Sequence, residues 1–168
     1  MRRTVQATAL LLLALSTAPA ISQEQKINLL QKYDDWAAYT EVSGGTKACF
    51  VVSQPKDSSP EIADRGPVYF YVSFYPDEKI TRQVSVRMGY APDGKVTATI
   101  GNDTFELLTK DEAGFVDKTV DAEKLIAAMK AGIAMRIQGR SASGATQDSF
   151  SLSGVTDAFE RANKECNG

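Results

Sequence analysis

The sequence of 168 residues has no histidine, two cysteines and one tryptophan. Without histidine, no Ser-His-Asp or Cys-His arrangement can be assembled, and no imidazole is available to hold a metal. The glycine patterns of phosphate loops and dinucleotide folds are missing, as is the spacing of a calcium loop. Clusters of lysine and arginine are missing too, which leaves no footprint for nucleic acid and no polybasic stretch for anionic lipid. Long apolar runs are scarce. The richest, residues 9–15, is far shorter than the roughly 20 residues that a bilayer-crossing helix requires.

That short run has another reading. Arg2 and Arg3 precede it, and Ala18-Pro19-Ala20 follows it with the small-x-small pattern of a signal-peptidase site. Residues 1–20 are therefore expected to be an export signal, with a mature chain starting near Ile21 and no transmembrane anchor. Their removal takes away two arginines and no acids, so 17 basic residues stand against 21 acidic ones, a net charge of −4. Residues 21–168 are enough chain for one domain with a real core.

The two cysteines, Cys49 and Cys166, admit three readings: a disulfide, a thiol-redox site, or part of a metal site. No Cys-x-x-Cys exists and no further ligands are evident. An even count in an exported chain favours the structural disulfide.

Alternation of apolar and polar residues predicts mostly strands. Strands over 34–41 and 47–56 flank the turn Gly44-Gly45, and residues 56–67 form a charged, proline-bearing loop. Over 68–75, Val68, Phe70, Val72 and Phe74 fall on one face and Tyr69, Tyr71, Ser73 and Tyr75 on the other. Further strands are expected over 80–90, from Val96 to Ile100, from Phe105 onward, over 115–119, and near 133–139 and 146–152. The repeat of Ala122, Leu125, Ile126 and Met129 predicts a helix with Asp121 as N-cap and Gly132 as a C′ stop. A second helix, about 155–166, carries Val155, Ala158, Phe159, Ala162 and Cys166 on one apolar face. Short strands in this number, with two helices, predict an antiparallel β-sandwich in which Cys166 ties the last helix to the strand bearing Cys49; an open barrel is the alternative.

Chemistry is hard to place on such a chain. Gly139-Arg140-Ser141-Ala142-Ser143 has the outline of a nucleophile elbow, but it lacks the final glycine and falls in a hairpin turn. Asn102-Asp103-Thr104 matches a glycosylation acceptor and is equally good turn chemistry. Two acids can run hydrolysis without histidine, which makes Asp34-Asp35, Asp111-Glu112 and Asp117 with Asp121 the pairs to test. All fall at strand ends, bends or helix starts, where acids are ordinarily solvated. The candidate interaction surface is the face bearing Tyr69, Tyr71 and Tyr75, because aromatic rows are unusual on a face meant only for water. The competing and slightly favoured expectation is that a helix or loop covers it, with two helices and an N-terminal segment all needing somewhere to pack and Ile27, Leu30 and Tyr33 placed to lie across it.

Asp35-Trp36, the segment Cys49-Phe50-Val51-Val52-Ser53-Gln54-Pro55, Ala127-Ala128-Met129-Lys130-Ala131-Gly132, Ser151-Leu152-Ser153-Gly154 and Cys166 follow in this order along the chain. In order and spacing they resemble the invasion-associated locus B family of bacterial exported proteins, over about residues 33–166. The resemblance implies an immunoglobulin-like sandwich in the periplasm or envelope and an association, in some members, with host-cell invasion. It brings no catalytic residues and no cofactor. The family pattern includes a cysteine soon after the tryptophan. Here Ala37-Ala38-Tyr39-Thr40 follows Trp36, so only a Cys49–Cys166 bridge remains. The expectation is a non-enzymatic envelope protein acting by protein or ligand binding, its partner an unidentified envelope or host molecule. A carboxylate-dependent hydrolase and an inhibitor or accessory subunit of another envelope protein are the alternatives.

Overall fold

Antiparallel strand pairing dominates the computed structural model, which describes residues 25–76 and 82–167. The expected signal at 1–20 and residues 80 and 81 of the strand expected over 80–90 lie outside the described residues. The strands are β1 (Lys26–Tyr33), β2 (Trp36–Ser43), β3 (Thr46–Ser53), β4 (Asp57–Ser59), β5 (Tyr69–Phe74), β6 (Arg82–Arg87), β7 (Val96–Ile100), β8 (Asp103–Lys110), β9 (Ala113–Phe115), β10 (Ala134–Ser141) and β11 (Gly144–Ser151). Helix α1 (Thr119–Ala131) separates β9 from β10, and α2 (Val155–Asn167) follows β11.

All eleven strands belong to one ladder, in the order β1-β2-β3-β5-β6-β9-β8-β7-β10-β11-β4. Strand β8 joins the two halves, pairing with β9 on one side and β7 on the other. The sheet folds back on itself there. Phe150 of β11 meets Phe70 of β5 at 5.9 Å between ring centroids, and Phe70 meets Trp36 of β2 edge-on at 6.2 Å. The Trp36 indole N–H closes the far end by donating to the Ser151 carbonyl at 2.9 Å. The mainly antiparallel fold with two helices matches expectation. Because the ladder is unbroken, the immunoglobulin-like two-sheet description stays an expectation of the resemblance.

Both helices pack on the inner side of this folded sheet. Helix α1 buries Ala122, Leu125, Ile126 and Met129, the four positions its periodicity marks. It starts two residues before Asp121, with Lys118 at the N-cap and no side-chain cap. Asp121 sits instead in the first turn, where a negative charge is favourable beside the unpaired amides. Gly132 ends the helix without the left-handed conformation expected of a C′ glycine, at φ −90° and ψ 172°. Space explains the glycine: a Cβ there would come within 2.5 Å of the Ile100 side chain.

Helix α2 buries Val155, Ala158, Phe159 and Ala162, with Phe159 edge-on to Phe74 at 4.9 Å. Cys166, at its end, is bonded to the fully buried Cys49 of β3, across a Cα–Cα distance of 6.0 Å and 117 residues of chain. Lys47 reinforces the same junction, donating to the Glu165 carboxylate at 2.9 Å and to its backbone carbonyl at 3.0 Å. Among the described residues no cysteine is free, so the redox and metal readings of Cys49 and Cys166 give way to the disulfide.

Candidate functional site

Folding the sheet gives each half an inner and an outer face, and the two outer faces differ in chemistry. On the half formed by β8, β7, β10, β11 and β4, direct cross-strand neighbours on the outer face run Glu106, Thr97, Gln138, Gln147, Ser59. The next row runs Thr104, Thr99, Arg136, Ser149, Asp57. No apolar side chain interrupts either row. This is what water demands of a surface.

The outer face of the other half breaks that rule. One row runs Leu29, Tyr39, Phe50, Ser73, Gln83 across β1, β2, β3, β5 and β6. The adjacent row runs Ala37, Val52, Tyr71, Ser85, Phe115, Leu108 across β2, β3, β5, β6, β9 and β8. Parity puts them there: Trp36, Cys49, Phe70 and Val84 point inward, so every second residue from them points out. Tyr39 stacks on Phe50 at 5.3 Å, Phe50 meets Tyr71 at 6.1 Å, and Tyr71 meets Tyr69 at 5.9 Å. These rings shelter one another and remain half-exposed. Burial pushes the Tyr71 phenol upward in pKa, with the neighbouring Tyr69 adding to the effect and Arg87 opposing it.

Neither helix covers this face, since α1 and α2 occupy the opposite one through Leu125, Phe159 and Cys166. Nor does the N-terminal segment. Residues 26–33, expected to lie across the tyrosines, instead extend the sheet as edge strand β1, paired along β2. A bulge between Leu29 and Gln31 changes its facing. Ile27 and Leu29 stay exposed on the outer side, while Leu30 and Tyr33 pack against the core.

Of the three tyrosines singled out from the sequence, Tyr69 and Tyr71 lie within the aromatic row. Tyr75 falls just beyond the end of β5, half-exposed, and is not among the ring pairs of the described residues. Sequence reasoning missed Tyr39, Phe50 and Phe115. Counting by twos from Trp36 and Cys49 reaches the first two. Phe115 joins them only through its register with β6.

Two depressions border the aromatic strip. One, of about 590 Å³, lies over Ser85 between Tyr71 and Phe115, with Gln83, Arg87 and Glu112 at its ends. The other, of about 530 Å³, is lined by Lys32, Asp35, Tyr39, Val52, Lys56 and Tyr69. Each rim carries one ion pair at short distance. Arg87 donates to Glu112 at 3.2 Å, and Lys56 donates to Asp35 at 2.6 Å.

Of the candidate acids, four have partners other than one another among the described residues. Asp34 accepts from the Ser153 hydroxyl at 2.8 Å, while its neighbour Asp35 is held by Lys56. The Lys56 hydrogen bond keeps the Asp35 carboxyl below its ordinary pKa, the reverse of what a general acid needs. Glu112 faces Arg87, and Asp121 faces Lys124 at 3.5 Å. Among the described residues, no group of three or more potential metal ligands comes together. No helix there is long and apolar enough to cross a membrane. Ser141 is buried in the β10–β11 hairpin, its hydroxyl bonded to the Gly144 carbonyl, as a turn residue rather than a nucleophile. No family model, curated protein or solved structure matches the chain.

Proposed function

We propose that this chain is exported by residues 1–20 and works in the periplasm or at the envelope as a non-enzymatic binding protein. The proposed binding surface is the aromatic outer face bearing Tyr39, Phe50, Tyr69 and Tyr71. One observation carries the reading: of two outer faces made by the same folded sheet, one is polar throughout its two central rows and the other presents four rings packed in series. Solvation alone asks for the first chemistry on both. Aromatic residues with polar tips are the ones enriched where proteins bind partners, because they contribute large contact area at small entropic cost.

Export is supported by the charged, apolar and small-residue segments of the N-terminus, and a structural disulfide, favoured in oxidising compartments, is compatible with it. The resemblance to invasion-associated locus B proteins agrees with this location. A hydrolase reading draws no support from Asp34, Asp35, Glu112 and Asp121, each of which is engaged by a hydroxyl or a cation.

The test is capture from an envelope extract with the mature protein and with a Tyr39→Ser/Phe50→Ser variant. A partner recovered by the first and lost by the second is the expected result. Equal recovery by both overturns the assignment of this face. Intact-mass analysis of exported protein checks the compartment: retention of residues 1–20, or two free thiols, contradicts it.

A further inference from the structure

Tyr71, Ser85 and Phe115 are direct cross-strand neighbours on β5, β6 and β9. A small hydroxyl residue thus stands between two aromatic ones on the same face. Adjacent strands lie about 4.8 Å apart, so the two ring-bearing strands are separated by about 9.6 Å. A ring inserted between them in van der Waals contact with both needs about 7–8 Å between the wall planes. On backbone spacing, the slot has room for one ring and not for two. Tyr39 and Phe50 make the contrast, because they sit on neighbouring strands, close on one another at 5.3 Å and leave no such gap.

The polar groups of the slot narrow the ligand chemistry. Its floor is the Ser85 hydroxyl, and Gln83 stands at one end of the depression. At the other end Arg87 is engaged with Glu112, and Lys110 is followed directly by Asp111. Two cations and two anions leave no net charge. A phosphate or carboxylate ligand would meet two anions beside the two cations, of which Arg87 is already engaged, and the chain as a whole is acidic. What remains is a set of neutral donors and acceptors around the edge of an aromatic sandwich. A pyranose ring fits both parts, with apolar C–H faces against Tyr71 and Phe115 and hydroxyls directed to Ser85 and Gln83. A bare aryl ring would fill the walls but leave those edge groups to water.

We propose that this slot binds one pyranose ring of a neutral oligosaccharide. The proposal rests on reading the aromatic face as a binding surface, and names the chemistry of one of its ligands. The chain of sugars would continue over Tyr71 toward Phe50, along rings already in contact.

The experiment titrates chitohexaose and cellohexaose into the isotope-labelled mature protein and follows amide shifts and affinity. Saturable shifts centred on Tyr71, Ser85 and Phe115 are expected for at least one of them. Phe115→Ala removes a wall and should weaken binding about tenfold or more. Ser85→Phe fills the slot with the protein's own ring. It should abolish binding while thermal unfolding is unchanged or raised, since cross-strand aromatic neighbours stabilise sheets. Absence of saturable binding for both glycans, or binding that survives Ser85→Phe, overturns the proposal. A neutral peptide, acetyl-Gly-Phe-Gly-amide, is titrated in parallel. Its binding in place of the glycans also overturns the sugar assignment. The broader reading has its own readout, because loss of envelope partners by Tyr39→Ser/Phe50→Ser would stand even if every glycan failed.

Discussion

Arg65 grips Asp148 through two parallel hydrogen bonds, Nη1 to Oδ1 at 2.9 Å and Nη2 to Oδ2 at 2.7 Å. Asp148 is fully buried on β11, and Arg65 reaches it from the loop before β5. The same guanidinium donates through Nε to the Met88 carbonyl at 2.9 Å and lies 5.0 Å over the Tyr90 ring. Tyr90 in turn hydrogen-bonds Thr146, so the pair is embedded in a satisfied network. Removing one member leaves the other charged and buried. Asp148→Ala is expected to cost about 3–5 kcal/mol, whereas the double replacement Arg65→Met/Asp148→Leu should cost clearly less. Denaturant unfolding followed by the emission of the buried Trp36 measures both.

The Cys49–Cys166 bridge closes a loop of 117 residues. In the chain-entropy picture a loop of that size contributes up to about 5 kcal/mol, with observed values more often about 2–4 kcal/mol. A Cys49→Ala/Cys166→Ala variant should therefore unfold at lower denaturant. Lys47 and Phe159 still hold α2, so the variant should keep its strand and helix content by circular dichroism at low temperature.

Glu165 supplies a pH dependence at the same junction. Hydrogen bonds from Lys47, and then from Arg161, hold its carboxyl below the ordinary glutamate pKa. A carboxyl whose folded pKa lies below its unfolded one stabilises fully above the unfolded value, about 4.3, and loses that contribution as pH falls through the folded value. The gap in melting temperature between the natural protein and Glu165→Gln should be open at pH 6 and shrink progressively as pH falls below the unfolded value. Because the pair is partly exposed, high salt at pH 6 should narrow it as well.

Two glycines with positive φ offer a matched comparison. Gly101 has φ +57° and open space where a Cβ would go, so Gly101→Ala carries only the left-handed strain of about 1–2 kcal/mol. Gly154 has φ +84°, and its Cβ would stand 2.1 Å from the Tyr33 carbonyl oxygen. That clash is with backbone and cannot be relieved by a rotamer change. Gly154→Ala should exceed Gly101→Ala by about 2 kcal/mol or more in thermal or denaturant unfolding.

Much of the fold was legible where periodicity is strong. The alternation over 68–75 marks β5, the repeat from Ala122 to Met129 marks α1, and Val155 to Cys166 marks α2 within a residue. Gly44 and Gly45, both at positive φ, form the turn between β2 and β3 as their type suggests. Local pattern fails where pairing, not composition, makes the strand. Asp57-Ser58-Ser59 has no β-favouring side chain and becomes β4 only by joining the edge of β11. The short strand expected at 115–119 forms earlier, at Ala113–Phe115, where Gly114 packs closely between Val86 and Leu107.

The candidate site divides in the same way. Tyr69 and Tyr71 declare themselves by alternation within one strand. Ser85 reads as an ordinary outward polar residue, and Phe115 as the start of a different element. Their meeting depends on β6 pairing with both β5 and β9, a long-range choice that no window of sequence contains.

The disulfide also has a temporal meaning. Cys49 is synthesised 117 residues ahead of its partner, and that interval holds β4 to β11, α1 and most of α2. The bond can close only after all of those have been synthesised, so it cannot act on the chain while that interval is still being made. A chain truncated after Cys49 and before Cys166 carries a single unmatched thiol. In an oxidising compartment that thiol is a chemical label of incompleteness, open to mixed disulfides with thiol-handling enzymes, whereas the intact domain presents none.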